Sequence, residues 1–269
     1  MKSFEFHRPR SVADAVALLR GNDAAKLLAG GQSLLPVLKL DLAQPSDLVS
    51  LAAVAGLKEI RSEGDHLVIG ALATHDEVST SPEVRRRIPG LAGVAAGIGD
   101  AQVRNRGTLG GSLAHADPAA DYPAAVLALG ATIVTDRRQI AADDYFTGLF
   151  QTALAPDEVI TAVRFPVPAC SAYAKFPHRA SKYAVVGVMV AKTAGSVRVA
   201  VTGAGSRAFR LPALEAALAS RFSPDAVDGA GAAGSILPAG DLRSSTEGSA
   251  EYRAHLVTVM ARRAIQACL

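Results

Sequence analysis

The chain has no tryptophan and only two cysteines, Cys170 and Cys268, among 269 residues. Neither sits in a Cys-x-x-Cys pair, which excludes a structural zinc site or a cysteine-ligated iron–sulfur cluster built by this chain alone. Long apolar runs are also missing. No stretch of about 18 uncharged apolar residues occurs, so no transmembrane helix is expected. The N-terminal Met1-Lys2-Ser3-Phe4-Glu5-Phe6 has no apolar core of signal-peptide length, and a cytoplasmic location is expected on that ground. No charge of one sign dominates: 28 basic residues against 25 acidic ones leave a net +3. Without a Lys/Arg stripe, a nucleic-acid-binding role has no support. Arg85-Arg86-Arg87 reads as a solvated helix face, whereas Arg104 and Arg106 flank a motif treated below.

What is present is ordinary globular chemistry, 49% hydrophobic and 20% charged. The length suits one large domain or two ordinary ones with a buried core. Abundant Ala and Gly suit helices and sheets packed closely together. Phe4 and Phe6 mark a short strand, and Ser11 caps an apolar-periodic helix carrying Val12, Ala15, Val16, Leu18 and Leu19. Lys26 to Ala29 reads as a buried strand running into Gly30-Gly31, and residues 47–50 as another, giving a strand–helix–strand unit over roughly the first 55 residues. Strands follow at 60–61 and 67–71, then a helix start with an acidic first turn at Thr74-His75-Asp76-Glu77. Residues 91–99 form a small-residue helix able to approach another backbone closely. An alanine-rich helix is expected from Pro118 to Gly130, then strands at 131–135 and 158–165. Beyond Pro168 the texture changes to three strands (173–176, 185–191, 197–201), a helix at 211–218, a Gly/Ala/Ser-rich loop over about 228–249 and an amphipathic helix at 251–268. A boundary near residue 170 separates a large N-terminal domain from a small α+β domain.

Two segments carry the chemistry. In Leu28-Ala29-Gly30-Gly31-Gln32-Ser33 a strand feeds a Gly-Gly turn with polar residues beyond it. Without Cβ atoms, Gly30 and Gly31 are free to take positive φ and to bring backbone near an anion. Successive N–H groups in such a turn make a nest for phosphate oxygens, and Ser33 adds a hydroxyl; a plain tight turn is the competing reading. Thr108-Leu109-Gly110-Gly111-Ser112 repeats the recipe, and two such loops suit a pyrophosphate held from both sides. Neither matches Gly-x-Gly-x-x-Gly or Gly-x-x-x-x-Gly-Lys-Ser/Thr, so the usual NAD-type and ATP-type folds are disfavoured. Downstream stand His115, Asp117 and Asp121. As a bare pattern they suit a cation, but Pro118 breaks any helical register and no further His or Cys completes a shell. Asp117 equally suits capping a helix that Pro118 opens, and Asp121 either bonds a cofactor hydroxyl or faces water.

The segments Leu-Ala-Gly-Gly-Gln-Ser-Leu-Leu-Pro (28–36) and Gln-Val-Arg-Asn-Arg-Gly-Thr-Leu-Gly-Gly-Ser-Leu-Ala-His-Ala-Asp-Pro-Ala-Ala-Asp (102–121) closely resemble the FAD-binding medium subunit of molybdenum hydroxylases, the carbon monoxide dehydrogenase and xanthine dehydrogenase group. The resemblance covers nearly the whole chain, including the terminal helix from Tyr252-Arg253 to Ile265. It implies an α+β fold: a two-subdomain, non-Rossmann FAD-binding domain of the vanillyl-alcohol-oxidase/PCMH type over 1–170 (subdomains about 1–55 and 56–170). A C-terminal α+β domain with a three-stranded antiparallel sheet and helices follows at 171–269. It implies that residues 28–33 and 108–112 hold the FAD pyrophosphate and adjoining groups, with Asp121 a further contact. Ile98 would pack by the isoalloxazine, Ile160 would contact the cofactor, and Lys175 and Tyr183 would reach the flavin from the second domain. Read without the resemblance, Tyr183 is a half-buried strand aromatic and Lys175 a surface charge.

The resemblance further implies an electron-transfer subunit, with no catalytic acid, base or nucleophile in this chain. Its partners would be a large molybdenum-pterin subunit and a small 2Fe-2S subunit, in a dimer of heterotrimers. Electrons would pass from the small subunit's clusters through FAD to an external acceptor. The residue before the flavin-side Tyr is often acidic in the family and is Lys182 here, which leaves the acceptor open. A free-standing FAD oxidoreductase and a flavin-less scaffold are the alternatives.

Overall fold

A computed structural model describes residues 2–228 and 242–269. Its first sheet pairs Glu5–His7, Asp47–Ser50 and Ala25–Leu28 in that order, all parallel. Parallel neighbours need a crossover, and the helix Val12–Gly21 supplies the one between the first and second strands in chain order. It starts where expected, with the Ser11 hydroxyl accepting from the Asp14 N–H at 3.0 Å. Ala15, Val16, Leu19, Val49 and Leu51 make the small core of this unit.

A second sheet lays Ile60–Glu63, His66–Gly70, Ile160–Pro166, Thr132–Thr135 and Gln139–Ala141 side by side, antiparallel throughout. Helices pack on it through a core that includes Ile69, Leu91, Leu109, Tyr122, Ile133 and Phe165. His75–Thr80 begins with a capping box: Glu77 N–H donates to the Thr74 hydroxyl, and the Glu77 carboxylate accepts from Thr74 N–H. The small-residue helix is Pro89–Ala96. A Cβ on its Gly90 would lie 2.6 Å from the Ser171 carbonyl oxygen, so the close approach expected of this helix is real.

The third sheet orders Cys170–Pro177, Ala184–Lys192, Val197–Thr202 and Phe209–Arg210 antiparallel. It has four strands where the sequence reading has three; the fourth is two residues long, too short for any periodicity to show. Side chains alternate faces along a strand, and here the two faces serve different cores. Met189, Ala191 and Ala200 join the N-terminal core, while Val186, Val188, Val190, Val199 and Val201 pack with Leu256, Met260 and Ile265 of the helix Ala250–Ala267. Buried Arg253 ties that helix to the sheet by donating to the carbonyls of Val185 (2.6 Å) and Gly203 (2.9 Å).

One helix boundary departs from the sequence reading. Pro118 opens no helix and Asp117 caps none; the helix is Tyr122–Ala128, with Asp121 at its N-cap. Asp117 instead closes a turn by accepting from Ala119 N–H at 2.8 Å. The carbonyls of Pro118 and Ala120 face partners far along the chain. Thr202 Oγ1 lies 2.8 Å and 2.6 Å from them, and the Gly203 N–H donates to Pro118. Most of the Gly/Ala/Ser-rich loop at about 228–249 lies outside the described residues.

The two cysteines form a disulfide, Cys170–Cys268, with Cα atoms 5.7 Å apart. It joins the start of the third sheet to the end of the last helix across 98 residues. Such bonds are rare in a reducing cytosol, so it weighs against the cytoplasmic expectation. Reduction with dithiothreitol is expected to cost about 2–4 kcal/mol and lower the thermal midpoint by about 5–15 °C. An unmoved midpoint, or two titratable thiols before reduction, would refute the bond's structural role.

Candidate cofactor-binding cleft

A cleft of about 750 Å³ runs between the first sheet, the elements packed with the second, and the connection Ser181-Lys182-Tyr183 that leads into the strand Ala184–Lys192. Its size is that of a site for an extended cofactor. Of the residues singled out from the sequence, Ala29, Gly30, Gly31, Gln32, Ser33, Ile98, Thr108, Gly110, Gly111, Ser112, Asp121, Ile160 and Tyr183 all line it. Leu28, Leu109 and Lys175 do not. Leu109 is in the core behind the wall, and Lys175 is engaged with Asp121.

The two glycine segments touch each other, and their glycines serve different purposes. A Cβ on Gly30 would stand 2.0 Å from the Arg106 carbonyl oxygen, and one on Gly110 would stand 2.6 Å from the Ala71 Cβ. These two glycines let chain cross chain. Gly31 alone among the four has positive φ, 76°. After it, residues 30–33 form an irregular turn before the helix Leu34–Lys39. The N–H groups of Gly30, Gly31, Gln32 and Ser33 meet no acceptor among the described residues, and the Ser33 hydroxyl makes no cap bond. Four successive donors without a partner beside a cleft have the make-up of an anion nest.

The second segment is not a loop. Leu109–His115 is a helix with Thr108 as N-cap, its hydroxyl accepting from Gly111 N–H at 3.1 Å. The Leu109 and Gly110 N–H groups donate to Ala73 and Ala71 carbonyls at 3.0 and 2.8 Å. Its backbone donors from Leu109 to Ser112 are therefore spent inside the protein. What it offers the cleft is a Cβ-free surface at Gly110 and Gly111 and the hydroxyls of Thr108 and Ser112.

Asp121 is 5% exposed, so it does not face water. Tyr173 Oη donates to it at 2.5 Å and Lys175 Nζ at 2.8 Å. Burial pushes its pKa up; Lys175 and the two hydrogen bonds pull the other way. Lys175 also donates to the Gly97 carbonyl at 3.2 Å, so it is no surface charge. Tyr183 is 43% exposed on the cleft. Its phenol is pushed above the usual range by burial and then by Asp117 and Asp121. Lys182 beside it has φ of 63° and lays its stem on Gly99. His115 also lines the cleft, with Phe150 5.2 Å away ring to ring. Among the described residues no group of three or more His, Cys, Asp or Glu is placed to hold a metal.

The sequence reading missed His75, which it took only as part of a helix start. Its ring is 5% exposed, lines the cleft and lies 5.3 Å from the Tyr122 ring. Both His75 Nδ1 and Tyr122 Oη are buried without a partner among the described residues. Gly107 must lack a Cβ here, since one would come 2.4 Å from His75 Nε2. No local pattern signals this, because the histidine sits inside an otherwise sufficient capping box.

An α+β chain with a nest of free N–H groups, a facing glycine surface and a long cleft is a binding protein for a phosphate-bearing cofactor. The comparisons name the class. Residues 2–168 match the FAD binding domain in molybdopterin dehydrogenase, and residues 171–268 the CO dehydrogenase flavoprotein C-terminal domain. The chain is 40% identical to the nicotine 6-hydroxylase medium subunit of Paenarthrobacter nicotinovorans, covering 98% of this chain and 97% of that one. It is 39% identical to the carbon monoxide dehydrogenase medium chain of Hydrogenophaga pseudoflava, over 98% and 96%. A solved carbon monoxide dehydrogenase from the same organism, lacking the Mo-pyranopterin moiety, has a chain that superposes with a TM-score of 0.93 at 39% identity, over 99% and 97% of the two chains. The protein belongs to the FAD-binding medium subunits of the molybdenum hydroxylases and is an oxidoreductase subunit with FAD as its cofactor.

Burial, then the nearby Arg104 charge, holds the pKa of His75 down at about 4 against 6.5 for a free histidine. The unfolded chain therefore takes up a proton between these values that the folded chain refuses. The linked stability is complete above about pH 6.5 and is lost as pH falls toward 4, in total about 3 kcal/mol. Urea melts from pH 7 to 4 are expected to show the wild type losing about that much more than His75→Gln. Parallel curves would show that His75 is not held neutral.

Proposed function

We propose that this chain is the electron-transfer subunit of a three-subunit molybdenum hydroxylase. A small 2Fe-2S subunit would deliver electrons that a large molybdenum-pterin subunit draws from substrate, and an external acceptor would take them away. FAD supplies the ability to accept electrons singly and release them in pairs. Assembly as a dimer of heterotrimers and a cytoplasmic setting belong to the same proposal; the disulfide counts against the latter.

The row of free N–H groups at residues 30–33 carries the residue assignment. We assign these donors and the Ser33 hydroxyl to the FAD pyrophosphate, with Thr108 and Ser112 supplying hydroxyls from the opposite wall and Gly110 and Gly111 keeping that wall close. Ala29 continues the first wall, and Leu28 and Leu109 shape the two walls from behind. Ile98 and Ile160 give apolar contact for the cofactor's rings, and Tyr183 lies beside them. Asp121 offers a carboxylate to a cofactor hydroxyl, and Lys175 acts through Asp121 rather than by touching the cofactor. Nothing in the cleft is assigned as a catalytic acid, base or nucleophile. Substrate chemistry belongs to the partner.

The purified chain or its complex is expected to be yellow, with a flavin absorption band and FAD released on denaturation. Gly31→Val forces a branched residue into positive φ, and Gly111→Val puts a Cβ 2.7 Å from the Thr108 hydroxyl. Each is expected to weaken FAD binding by at least about tenfold, some 1.4 kcal/mol, with the fold retained by circular dichroism. A colourless protein that refuses added FAD would overturn the cofactor assignment. Unchanged FAD content in both variants would leave the two segments with no part in holding FAD.

A further inference from the structure

The face of the third sheet turned toward the N-terminal domain carries a device that the binding of FAD does not by itself require. Tyr173, Lys175, Gly187 and Thr202 share that face: Lys175 stands opposite Gly187, and Gly187 opposite Thr202. Gly187 is a glycine inside a nine-residue strand otherwise made of Ala, Val, Met and Lys, a costly choice for a strand interior. The reason is visible in its surroundings. A Cβ there would fall 2.1 Å from the Tyr173 hydroxyl oxygen and 2.8 Å from the ring carbon bearing it. The phenol of Tyr173 therefore lies flat across the gap that Gly187 leaves, and from there its hydroxyl reaches Asp121 Oδ1 at 2.5 Å. Lys175 takes the other carboxylate oxygen at 2.8 Å. A carboxylate has about four lone-pair sites, so two remain for the cleft that Asp121 lines.

We infer that Tyr173 and Gly187 are positioning residues for Asp121: the strand glycine admits the phenol, and the phenol aims the carboxylate at a hydroxyl of the bound cofactor. The inference rests on the proposed assignment of the cleft to FAD and names two residues outside it. Tyr173 makes no contact with the cleft and acts only through Asp121. The remaining charged and titratable groups that interact with Asp121 are Lys175 from the same strand, Tyr122 beside it in its own segment, and Tyr183 from the connection into the next strand. Of these only Lys175 is cationic, and the Tyr173 hydroxyl is the second of two donors to the Asp121 carboxylate among the described residues.

The test uses the full-length chain with FAD titrated into stripped protein. Tyr173→Phe keeps the ring and removes the donor. It is expected to weaken FAD binding about tenfold, to alter the visible circular dichroism of the bound flavin, and to shift acid-induced FAD release to higher pH, since Asp121 then protonates sooner. The thermal midpoint of the FAD-free protein should stay within a few degrees. Gly187→Ala leaves both functional groups in place and displaces the phenol; it should reproduce the same loss. Because both changes break one contact, the double variant should lose far less than the sum of the two. Wild-type affinity and an unshifted release profile in Tyr173→Phe would overturn the inference while leaving the FAD assignment intact, as would additive losses in the double variant. Failure of the wild type itself to bind FAD would instead overturn the assignment on which the inference rests.

Discussion

Backbone crosses backbone where Gly30 lies on the Arg106 carbonyl, and the architecture of the cleft follows from that contact. One wall follows a strand of the first sheet and the other is a helix packed on the second, so no sheet ladder joins them. Their separation is fixed instead by positions where a side chain has been omitted: Gly30 against Arg106, Gly110 against Ala71 and Gly107 against His75. The polar groups brought together are satisfied on one side and left free on the other. Leu109 and Gly110 N–H groups are absorbed by Ala73 and Ala71 carbonyls, and His75 N–H by Gly107. This removes the penalty of burying them. The donors of residues 30–33, by contrast, have no such partner among the described residues. That asymmetry is what supports assigning the anion to the first wall.

Much of this was legible in the sequence because it depends on local chemistry. Ser11 and Thr74 cap helices through bonds that close within three residues, and the strands at 47–50, 67–71 and 132–135 show in their composition. The Gly-Gly segments stood out as sites, although sequence alone assigned all four glycines to one role. Their division into crossing points and a single positive-φ turn depends on Arg106 and Ala71, which lie far along the chain from the glycines they meet. The turn at 117–121 was misread for the same reason. Pro118 after Asp117 is a sound local signal for a helix start, but the carbonyls of Pro118 and Ala120 are met by Thr202 and Gly203. Tertiary partners more than 80 residues away set the conformation, and no window along the chain contains them. Lys175 is a similar case: a lone lysine on a short strand reads as solvated until Asp121, 54 residues earlier, is placed opposite it.

The parity of the third sheet explains why so much of the cleft's support lies after residue 170. Alternate residues of Ala184–Lys192 feed two cores, Met189 and Ala191 the one beneath the cleft and Val186, Val188 and Val190 the one under the terminal helix. A slip of one residue in that strand would exchange the two sets. The register is therefore held by both cores at once. It also places Gly187 under Tyr173 and Thr202 beside the 117–121 turn. The C-terminal unit is in this sense part of the cleft's frame, with Arg253 and the Cys170–Cys268 bond fastening the far side of the same sheet.

That frame decides how charge is arranged at the cleft's C-terminal edge. Asp121 and Lys175 cancel within one buried pair, leaving no net charge from the best-shielded groups. What the edge shows to a bound group is set by the less buried residues around them, Asp117 and Lys182, which line the cleft together with Tyr183. Lys182 is placed by sterics rather than by a salt bridge, its stem resting on Gly99 and its backbone in the left-handed region. An acidic residue at this position would stand on the same backbone but replace that positive charge with a negative one. With lysine, the edge carries one charge of each sign, at Asp117 and Lys182, both lining the cleft with Tyr183. Position and charge are thus separable at this edge: the fold fixes where the side chain starts, and the sequence alone chooses its sign.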